Sequence, residues 1–389
     1  MSASTPAADP GALLCVVNFP ANTGYAWEHI EALYATVADR LAGRGVVTWI
    51  AYPVLEAPPR TLEGSAARAV ELPVALGSPR ALRRVLAFVR RHRVRVVYCT
   101  DRAARSAAFP LLRLAGVRRI VVHDRTSGSR TRPTGLRYAL KWLAARLPGM
   151  TADRVIGVSD YVAGRQRNVA LIPAHRVVRI WNGVPLPGEP LESREAARRR
   201  LGFPTDRPIV VCACRAVPEK GVEHLIRGFE RLDARWPGAP RPLLVLVGDG
   251  PDRPRLELLG AGLVERAALR FAGYVADATP FLLAADVCTV PSVWQEAFGW
   301  SVVEPMALGR AVVASRVGGI PEIVRDGVDG LLVPPADPDA IAAALELLLR
   351  DPTLGARMGE TGRRRVAERF SRERQIDDVV RELEPAFGR

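Results

Sequence analysis

Two glutamates flank an otherwise largely apolar stretch, QEAFGWSVVEPMALG, in which seven residues separate Glu296 from Glu304. Two carboxylates act as acid and base on one glycosidic bond when they lie roughly 5 to 9.5 Å apart. A helix that begins near Phe298 and ends at Leu308 rises ~1.5 Å per residue, which separates these glutamates by about 12 Å. The spacing therefore suits the two ends of one elongated ligand, with the helix N-terminus binding an anionic group between them. The alternative is a residue favoured at a helix start and an incidental surface charge, and the stretch alone does not decide.

A second group of candidate residues follows predicted strands in the same half of the chain. In CRAVPEKG, Arg215 ends a strand and Lys220 stands where the next helix begins. Two cations beside the N–H groups of a helix start would form a phosphate site, and two solvated surface charges are the alternative. Gly248, Gly250 and the pair Gly318-Gly319 follow other strands, where they predict either simple turns or close backbone approach to a ligand.

The first half of the chain offers fewer candidates. VVHDRTSGSR ends a strand with His123, which predicts either a hydrogen-bonding group for a substrate or a structural histidine. NFPANTGYAW places Gly24 in the loop after the first strand, where backbone can approach a ligand.

Metal and nucleophile chemistry find little support in the sequence. Asp337-Pro338-Asp339 is interpreted as a helix start with an aspartate cap rather than as a metal motif. The five cysteines show no metal spacing, and Cys212 and Cys214 fall on one face of a strand as buried apolar residues. Ser159 and Ser292 lack the G-x-S-x-G turn of a hydrolase. An odd cysteine count without a disulfide framework predicts a reducing, cytoplasmic compartment.

The chain is strongly basic, with a net charge of +14 and a pI near 10.5. This charge favours acidic partners, but the arginines are interspersed with acids and aromatic residues make up only 6% of the chain, so we expect no nucleic-acid partner. RYALKWLAARLPGM, residues 137–150, is basic and amphipathic and predicts either an ordinary domain helix or a peripheral contact with an anionic membrane on its inner face. No signal peptide or membrane-spanning run is predicted.

Alternating apolar strands and amphipathic helices would position these residues. Continuous strands such as ALLCVVNF and VRVVYCT, separated by helical segments, predict a parallel sheet covered on both faces. The alternation breaks near Pro187 and then restarts with PIVVCACR and PLLVLVGDG. We therefore predict an α/β protein of two doubly wound domains, residues 1–186 and 187–372, with ligands at the carboxyl ends of the strands. The last segment, residues 373–389, is predicted to form a helix that packs across the domain boundary.

Several stretches occur in an order and spacing that resemble a known family. They are WNGVPL, RAVPEKGVEHLIRGF, LVGDGPDRPRLE, FAGYVADATPFLLAADVCTVPS and EAFGWSVVEPMALGRAVVASRVGGIPEIV. Together they resemble the family 4 retaining glycosyltransferases of the GT-B fold, in which two Rossmann-like domains face each other across a crevice. The resemblance is strong from about Val177 to Leu349 and looser in the first half.

The resemblance implies roles for the matching positions. Arg215 and Lys220 would bind the donor diphosphate, Glu304 the ribose and Glu296 the sugar hydroxyls, while His123 would face the transferred sugar. The remaining implied donor-binding residues are Gly24, Tyr274, Val275, Ala297, Phe298 and Gly299. The implied catalytic set is His123, Arg215, Lys220 and Glu296, with no metal or cofactor. Cys214 stands where the family commonly has glycine, and Thr23-Gly24 stands where the family often has a pair of glycines. The larger side chains would leave less space around the donor phosphates.

The resemblance thus implies a metal-independent, retaining transferase that uses a UDP- or GDP-sugar, with a bacterial polysaccharide, glycolipid or glycoconjugate as product. The acceptor would be a saccharide, a lipid-linked group or a small molecule. A GT-B nucleotide-sugar epimerase or phosphorylase remains open, and so does a basic protein that binds nucleic acid or an anionic membrane.

Overall fold

The computed structural model describes residues 10–22, 24–73, 78–188 and 191–387. The chain forms two compact units. The first runs to Thr126, resumes at Arg130, ends at Trp181 and includes the C-terminal residues from Arg372; the second comprises Ser127–Ser129 and Asn182–Ser371. The main boundary thus falls between Trp181 and Asn182, a few residues before the predicted one.

The first unit contains a seven-stranded parallel sheet in the order β3-β2-β1-β4-β5-β6-β7. Its strands are β1 (Ala12–Val16), β2 (Val47–Tyr52), β3 (Arg68–Glu71), β4 (Val94–Thr100), β5 (Arg119–Asp124), β6 (Arg154–Gly157) and β7 (Val177–Arg179). Its helices before the boundary are α1 (Tyr25–Ala42), α2 (Pro79–Arg91), α3 (Ala108–Leu114), α4 (Gly135–Ala144) and α5 (Asp160–Asn168).

The second unit contains a six-stranded parallel sheet in the order β10-β9-β8-β11-β12-β13. Its strands are β8 (Ile209–Ala213), β9 (Leu243–Val247), β10 (Leu269–Gly273), β11 (Val287–Val290), β12 (Ala311–Ser315) and β13 (Leu331–Val333). Its helices are α6 (Arg194–Leu201), α7 (Val222–Arg235), α8 (Arg253–Leu259), α9 (Ala261–Glu265), α10 (Thr279–Ala284), α11 (Trp300–Ala307), α12 (Ile320–Ile323), α13 (Pro338–Arg350) and α14 (Pro352–Arg369). Short 3-10 helices occur at Arg60–Leu62, Ala174–Arg176, Pro218–Lys220 and Glu384–Ala386.

Both sheets are doubly wound, because the strand order reverses beside the first strand of each unit. In the first unit β1 lies between β2 and β4, and in the second unit β8 lies between β9 and β11. Every residue of β9 and β12 is buried, as expected of strands covered by helices on both faces. The reversal leaves a gap between diverging loops at the carboxyl ends of the strands, where such sheets bind ligands.

The C-terminal helix α15 (Arg372–Leu383) belongs to the first unit, where it packs against α1 and the strands near β5. Arg40 forms ion pairs with Glu373 at 2.8 Å and with Asp377 at 3.0 Å. Glu382 accepts from Arg119 at 2.9 Å and from Arg154 at 3.0 Å. These contacts place the C-terminal segment with the first unit.

Short and edge elements are where the sequence predictions fail. The strands β3 and β7 were not predicted, and neither of them contains a buried residue. The capping interpretation of Asp337 is confirmed, because its carboxylate accepts the Ala340 N–H at 3.0 Å and Pro338 opens α13. Among the described residues, no helix combines the length and apolar character needed to cross a bilayer.

Acidification is expected to weaken the attachment of α15 through His29. Arg372 donates to His29 Nδ1 at 2.8 Å, and burial together with the Arg372 charge lowers the pKa of His29 from 6.5 to about 4. The unfolded chain therefore binds the proton more tightly, so the stabilisation is complete above pH 6.5 and is lost as the pH falls towards 4. We expect the free energy of unfolding, measured by urea denaturation, to fall between pH 7 and pH 4.5. The fall should be ~2 kcal/mol larger in the wild type than in His29→Gln, since a pKa difference of one unit is worth about 1.4 kcal/mol. Equal losses in the two proteins would show that His29 does not carry this linkage.

Candidate functional site

The candidate site of the second unit lies where the loops after β8 and β11 diverge. The loop after β8 carries Arg215 and ends in the 3-10 turn Pro218–Lys220. The loop after β11 runs from Pro291 to Gly299, where α11 begins. Strand order reverses between β8 and β11, so these two loops form the position where a doubly wound sheet binds its ligand.

Two hydrogen bonds meet at Glu296, and we call Lys220, Glu296 and Ser292 the Glu296 cluster. Lys220 Nζ donates to Glu296 Oε1 at 2.6 Å, and Ser292 Oγ donates to the same oxygen at 2.7 Å. Ser292 is fully buried, while 12% of the Glu296 side chain is exposed. Glu296 Oε2 makes no hydrogen bond to any described residue, so one carboxylate oxygen is held by the protein and the other remains an acceptor.

Close approach between the backbones of the two loops fixes the geometry of the Glu296 cluster. Gly221 has a φ of +64°, and a Cβ there would lie 2.1 Å from the Pro291 carbonyl oxygen. Val293 N–H donates to the Glu219 carbonyl at 3.0 Å beside this contact. Only glycine fits at position 221, because a side chain would push the two loops apart.

A third loop, after β12, holds the backbone of Glu296. Gly318 has a φ of +53°, and a Cβ there would lie 2.0 Å from the Glu296 carbonyl oxygen. Gly319 N–H donates to that carbonyl at 2.9 Å, and Gly318 N–H donates to Gln295 Oε1 at 2.8 Å. The Gly318-Gly319 pair thus fixes Glu296 as well as making a turn.

The glycines after β9 approach the Arg215 loop in the same manner. A Cβ at Gly248 would lie 2.0 Å from the Cys214 carbonyl oxygen, and one at Gly250 would lie 2.3 Å from that of Ala216. The Arg215 side chain is exposed and pairs with no acid among the described residues. The loop backbone is therefore fixed while its guanidinium remains available to an anion.

The segment after β10 presents an aromatic side chain. Tyr274 is 76% exposed and has no ring contact or hydrogen bond within the described chain, and Val275 beside it is partly buried. Gly273, just before it, accepts the Gly248 N–H at 2.7 Å. An exposed ring anchored beside the Arg215 loop provides a surface on which a nucleotide base could stack.

Helix α11 carries the remaining candidates of this unit. Gly299 caps it with a φ of +127°, and Glu304 lies in its second turn, partly buried. Ala297 and Phe298 are buried, and the Ala297 N–H donates to Ser127 Oγ at 3.1 Å. A ligand contact through that amide would therefore replace an existing hydrogen bond, whereas Glu304 has a partly accessible side chain.

His123 lies on β5 in the first unit and is fully buried. Its Nδ1 is 2.6 Å from the Tyr98 hydroxyl, and its Nε2 has no hydrogen-bond partner among the described residues. Burial and the nearby Arg125 charge hold the pKa of His123 well below its usual value, so the ring is neutral. When the Tyr98 hydroxyl donates its hydrogen bond to Nδ1, the neutral ring carries its one proton on Nε2, which is then an unused donor.

Gly24 caps α1 with a φ of +113°, and a Cβ there would meet nothing within 4 Å. Glycine is favoured at this position by the positive φ and not by a lack of space for a side chain. His123 and Gly24 thus share a unit, whereas the other sequence-predicted site residues lie in the second one. Lys220 and Glu296 are joined directly by a hydrogen bond.

Two features of the site escaped sequence reasoning. Ser292 was considered only as a nucleophile, although its buried hydroxyl holds Glu296. Asp124, next to His123, pairs with Arg165 at 3.0 Å in a buried network. Burial opposes ionisation of Asp124, yet the Arg165 charge and hydrogen bonds from Thr126 and Gln166 lower its pKa overall. A serine at a strand end four residues before Glu296 was the available signal for the first feature.

The expectation of buried, unpaired cysteines is confirmed for four of the five, because all five thiols are free and all but Cys214 are buried. Cys214 follows the end of β8, is partly buried and packs against the core of the second unit, with its sulfur 3.8 Å from that of Cys212. Within the described residues, no group of three or more His, Cys, Asp or Glu side chains could hold a metal ion.

Two family models match the chain, one in each half. Residues 30–186 match Glycosyltransferase Family 4, and residues 193–365 match Glycosyl transferases group 1. A "GDP-mannose-dependent alpha-(1-6)-phosphatidylinositol monomannoside mannosyltransferase" of Mycolicibacterium smegmatis is 34% identical over 301 residues, 74% of this chain and 76% of that protein. A "D-inositol 3-phosphate glycosyltransferase" of Saccharomonospora viridis is 37% identical over 265 residues, 60% of this chain, and the match spans 59% of that relative's length.

Solved structures share the fold over nearly the whole chain. A glycosyltransferase from Rickettsia africae superposes with a TM-score of 0.80 at 19% identity, covering 97% of this chain and 98% of that one. HepE of Anabaena, solved in complex with UDP and glucose, gives a TM-score of 0.74 at 21% identity, with coverage of 95% and 99%. With its two doubly wound units and matching family models, the chain belongs to the family 4 glycosyltransferases of the GT-B fold.

Proposed function

We propose that the protein is a retaining glycosyltransferase that moves a sugar from a nucleoside-diphosphate sugar to an acceptor hydroxyl. The observation that supports the proposal is the Glu296 cluster of Lys220, Glu296 and Ser292, at the ligand-binding position of a doubly wound sheet. It places a cation that can bind phosphate next to a carboxylate whose second oxygen can accept hydrogen bonds from sugar hydroxyls. A sugar diphosphate needs both groups side by side.

The two cations would stabilise the departing diphosphate. Arg215 is exposed and unpaired within the described chain, so its guanidinium can bind two phosphate oxygens. Lys220 would exchange Glu296 for phosphate, or contact both, because an ammonium group has three donors. Their charge is most valuable as the sugar–oxygen bond breaks and negative charge develops on the diphosphate. We propose that these cations and the helix N-terminus supply the charge that a metal ion would otherwise supply.

The donor would extend along the second unit. Glu296 Oε2 would accept hydrogen bonds from sugar hydroxyls, with the backbone of Ala297, Phe298 and Gly299 beside it. Glu304 would accept from the ribose hydroxyls, and the base would lie against Tyr274 and Val275. The two glutamates would thereby bind different parts of one ligand rather than share one glycosidic bond.

Retention would follow from attack on the same face as the departing group. The acceptor oxygen forms its bond to the anomeric carbon as the bond to the diphosphate oxygen breaks. The acceptor proton passes to that phosphate oxygen, so no covalent sugar–protein intermediate is needed. His123 and Gly24 are proposed to contact the sugar and phosphates, which for His123 requires that its buried Nε2 become accessible.

The proposed donor is a UDP- or GDP-sugar. The M. smegmatis relative is GDP-mannose-dependent by name and the Anabaena structure holds UDP, which supports both nucleotides. The proposed product is a bacterial polysaccharide, glycolipid or glycoconjugate. Five free thiols support the cytoplasm as the compartment, because a reducing environment keeps them unpaired.

Nucleotide binding is expected to raise the thermal stability of the protein. A ligand at 100 times its dissociation constant adds about 2.7 kcal/mol to the free energy of unfolding. A thermal-shift panel of UDP, GDP, ADP and their sugars should therefore show a raised melting temperature with at least one nucleotide. If none of these compounds changes the melting temperature, the protein does not bind nucleotide sugars and the proposal is wrong.

Lys220→Met and Glu296→Gln are expected to lower kcat/KM for transfer by roughly a hundredfold or more each, because each removes a group acting on the reacting end of the donor. The matched control is the exposed pair of Arg231 and Asp339 in the same unit, whose nitrogen and oxygen lie 2.6 Å apart. Arg231→Met and Asp339→Asn should leave kcat/KM unchanged within about twofold, since exposed pairs contribute little. Normal activity in either site variant would remove that residue from the catalytic set.

Glu304→Ala is expected to separate nucleotide binding from sugar recognition. Loss of hydrogen bonds to a charged acceptor should weaken binding of the free nucleoside diphosphate by roughly tenfold. The ratio of kcat/KM values for two donor sugars on the same nucleotide should stay constant, because Glu304 would contact only the ribose. A changed sugar ratio with unaltered nucleotide affinity would place Glu304 at the sugar instead.

A further inference from the structure

Helix α4 of the first unit has no buried residue, although its sequence is largely apolar. Four leucines at intervals of four, three and four residues line its outer side and the turn that follows. Their exposed fractions are 74% for Leu136, 58% for Leu140, 55% for Leu143 and 45% for Leu147. A helix usually turns such a stripe towards the core, and scattered exposed leucines are common, but an aligned row on one face is not.

The side of α4 opposite the leucines is hydrogen-bonded to the rest of the first unit. Arg105 donates to the Lys141 carbonyl at 2.6 Å, and Lys141 Nζ donates to the Val169 carbonyl at 3.2 Å. Thr151 Oγ1 donates to the Ala145 carbonyl at 2.9 Å. The inner side is thus held by polar contacts, and the four leucines, the α4 stripe, face away from the unit.

Positive charge surrounds the α4 stripe. Between Asp124 and Asp153 the chain contains no acidic residue, and its segment from Arg130 to Met150 carries five cations. Arg137 and Arg146 are both exposed; Arg137 lies in the first turn of α4, and Arg146 lies in the turn that follows the helix, next to Leu147. An apolar ridge between two cations matches a surface with an apolar interior and anionic head groups.

A tryptophan lies beside the stripe. Trp142 is 43% exposed, and the Arg146 guanidinium lies 3.9 Å from the centre of its ring. Tryptophan and arginine both combine an apolar body with a polar end, which suits the boundary between head groups and acyl chains. The pair therefore extends the same chemistry to one flank of the helix.

We propose that α4 and the α4 stripe dock the protein on an anionic lipid bilayer, with the leucines among the acyl chains and Arg137 and Arg146 on the head groups. A second copy of this face fits poorly, because two such faces would bring like charges together. A nucleic acid would use the cations but not a ridge of four leucines, since single strands bind through stacked aromatic rings. This docking goes beyond the proposed transfer reaction and does not depend on it.

The direct test is co-sedimentation with vesicles of phosphatidylcholine alone and of phosphatidylcholine mixed with phosphatidylglycerol. The wild type should bind the anionic vesicles, and the double variant Leu140→Ser, Leu143→Ser should bind them roughly tenfold or more weakly, because apolar burial is lost. The matched control is Leu258→Ser, which changes an 81% exposed leucine on α8 of the second unit. It should bind as the wild type does.

The charge contribution has its own variant. Arg137→Gln combined with Arg146→Gln should lower the ratio of binding to anionic over neutral vesicles, while the remaining cations of the segment keep part of it. Raising the salt from 0.1 M to 1 M, which shortens the screening length from about 10 Å to about 3 Å, should weaken wild-type binding in the same direction. A ratio of anionic to neutral binding that is the same in the wild type and the arginine variant would contradict the assigned role of these arginines.

The fluorescence of Trp142 reports whether α4 inserts into the bilayer. The difference between the fluorescence spectra of the wild type and Trp142→Phe isolates this residue, and it should shift to shorter wavelength when anionic vesicles are added. Circular dichroism and nucleotide-induced thermal shifts should be unchanged in the leucine variant, which separates failure to dock from failure to fold or to bind donor.

Three results would overturn the proposal. They are absence of wild-type binding to anionic vesicles, binding that Leu140→Ser, Leu143→Ser leaves intact, and a wild-type dimer in solution that becomes monomeric in this variant. The last result would assign the α4 stripe to a second copy of the chain.

Discussion

The interaction on which the candidate site depends is the contact of Lys220 Nζ and Ser292 Oγ with one oxygen of Glu296. It brings a cation from the loop after β8 to a carboxylate from the loop after β11. Oppositely charged groups at the edge of a sheet contribute little when solvated, but Glu296 is largely enclosed and its partner hydroxyl is buried. The charges are therefore oriented before a ligand arrives, which lowers the cost of binding a diphosphate.

Glycines hold this arrangement in place by letting backbones touch. Gly221 lies against Pro291, Gly318 against Glu296 and Gly248 against Cys214, each at a distance that any Cβ would prevent. Because all three have positive φ as well, a side chain would be disfavoured twice over. The rigid element of the site is thus its loop backbone, whereas Arg215 and Tyr274 are exposed side chains that a ligand would order.

Much of the fold could be predicted because fully buried parallel strands leave a continuous apolar signal. The central strand β4 begins and ends with the predicted stretch VRVVYCT, whereas the edge strand β3, with no buried residue, gave no such signal. The site was predictable as far as residue types at strand ends. Its spatial contacts were not, because the pairing of Lys220 with Glu296 joins residues 76 positions apart. Ser292 was missed for the same reason, and the burial of His123 depends on packing that no local pattern encodes.

The central claim is that Glu296 and Lys220 bind adjacent parts of one nucleotide sugar. The most direct measurement is a crystal structure of the protein with an intact nucleoside-diphosphate sugar. The account predicts that Lys220 Nζ contacts a phosphate oxygen and that Glu296 Oε2 accepts a hydrogen bond from a sugar hydroxyl, while Ser292 keeps its bond to Oε1. A donor bound elsewhere, with the contact between Lys220 and Glu296 undisturbed and neither residue touching it, would contradict the account.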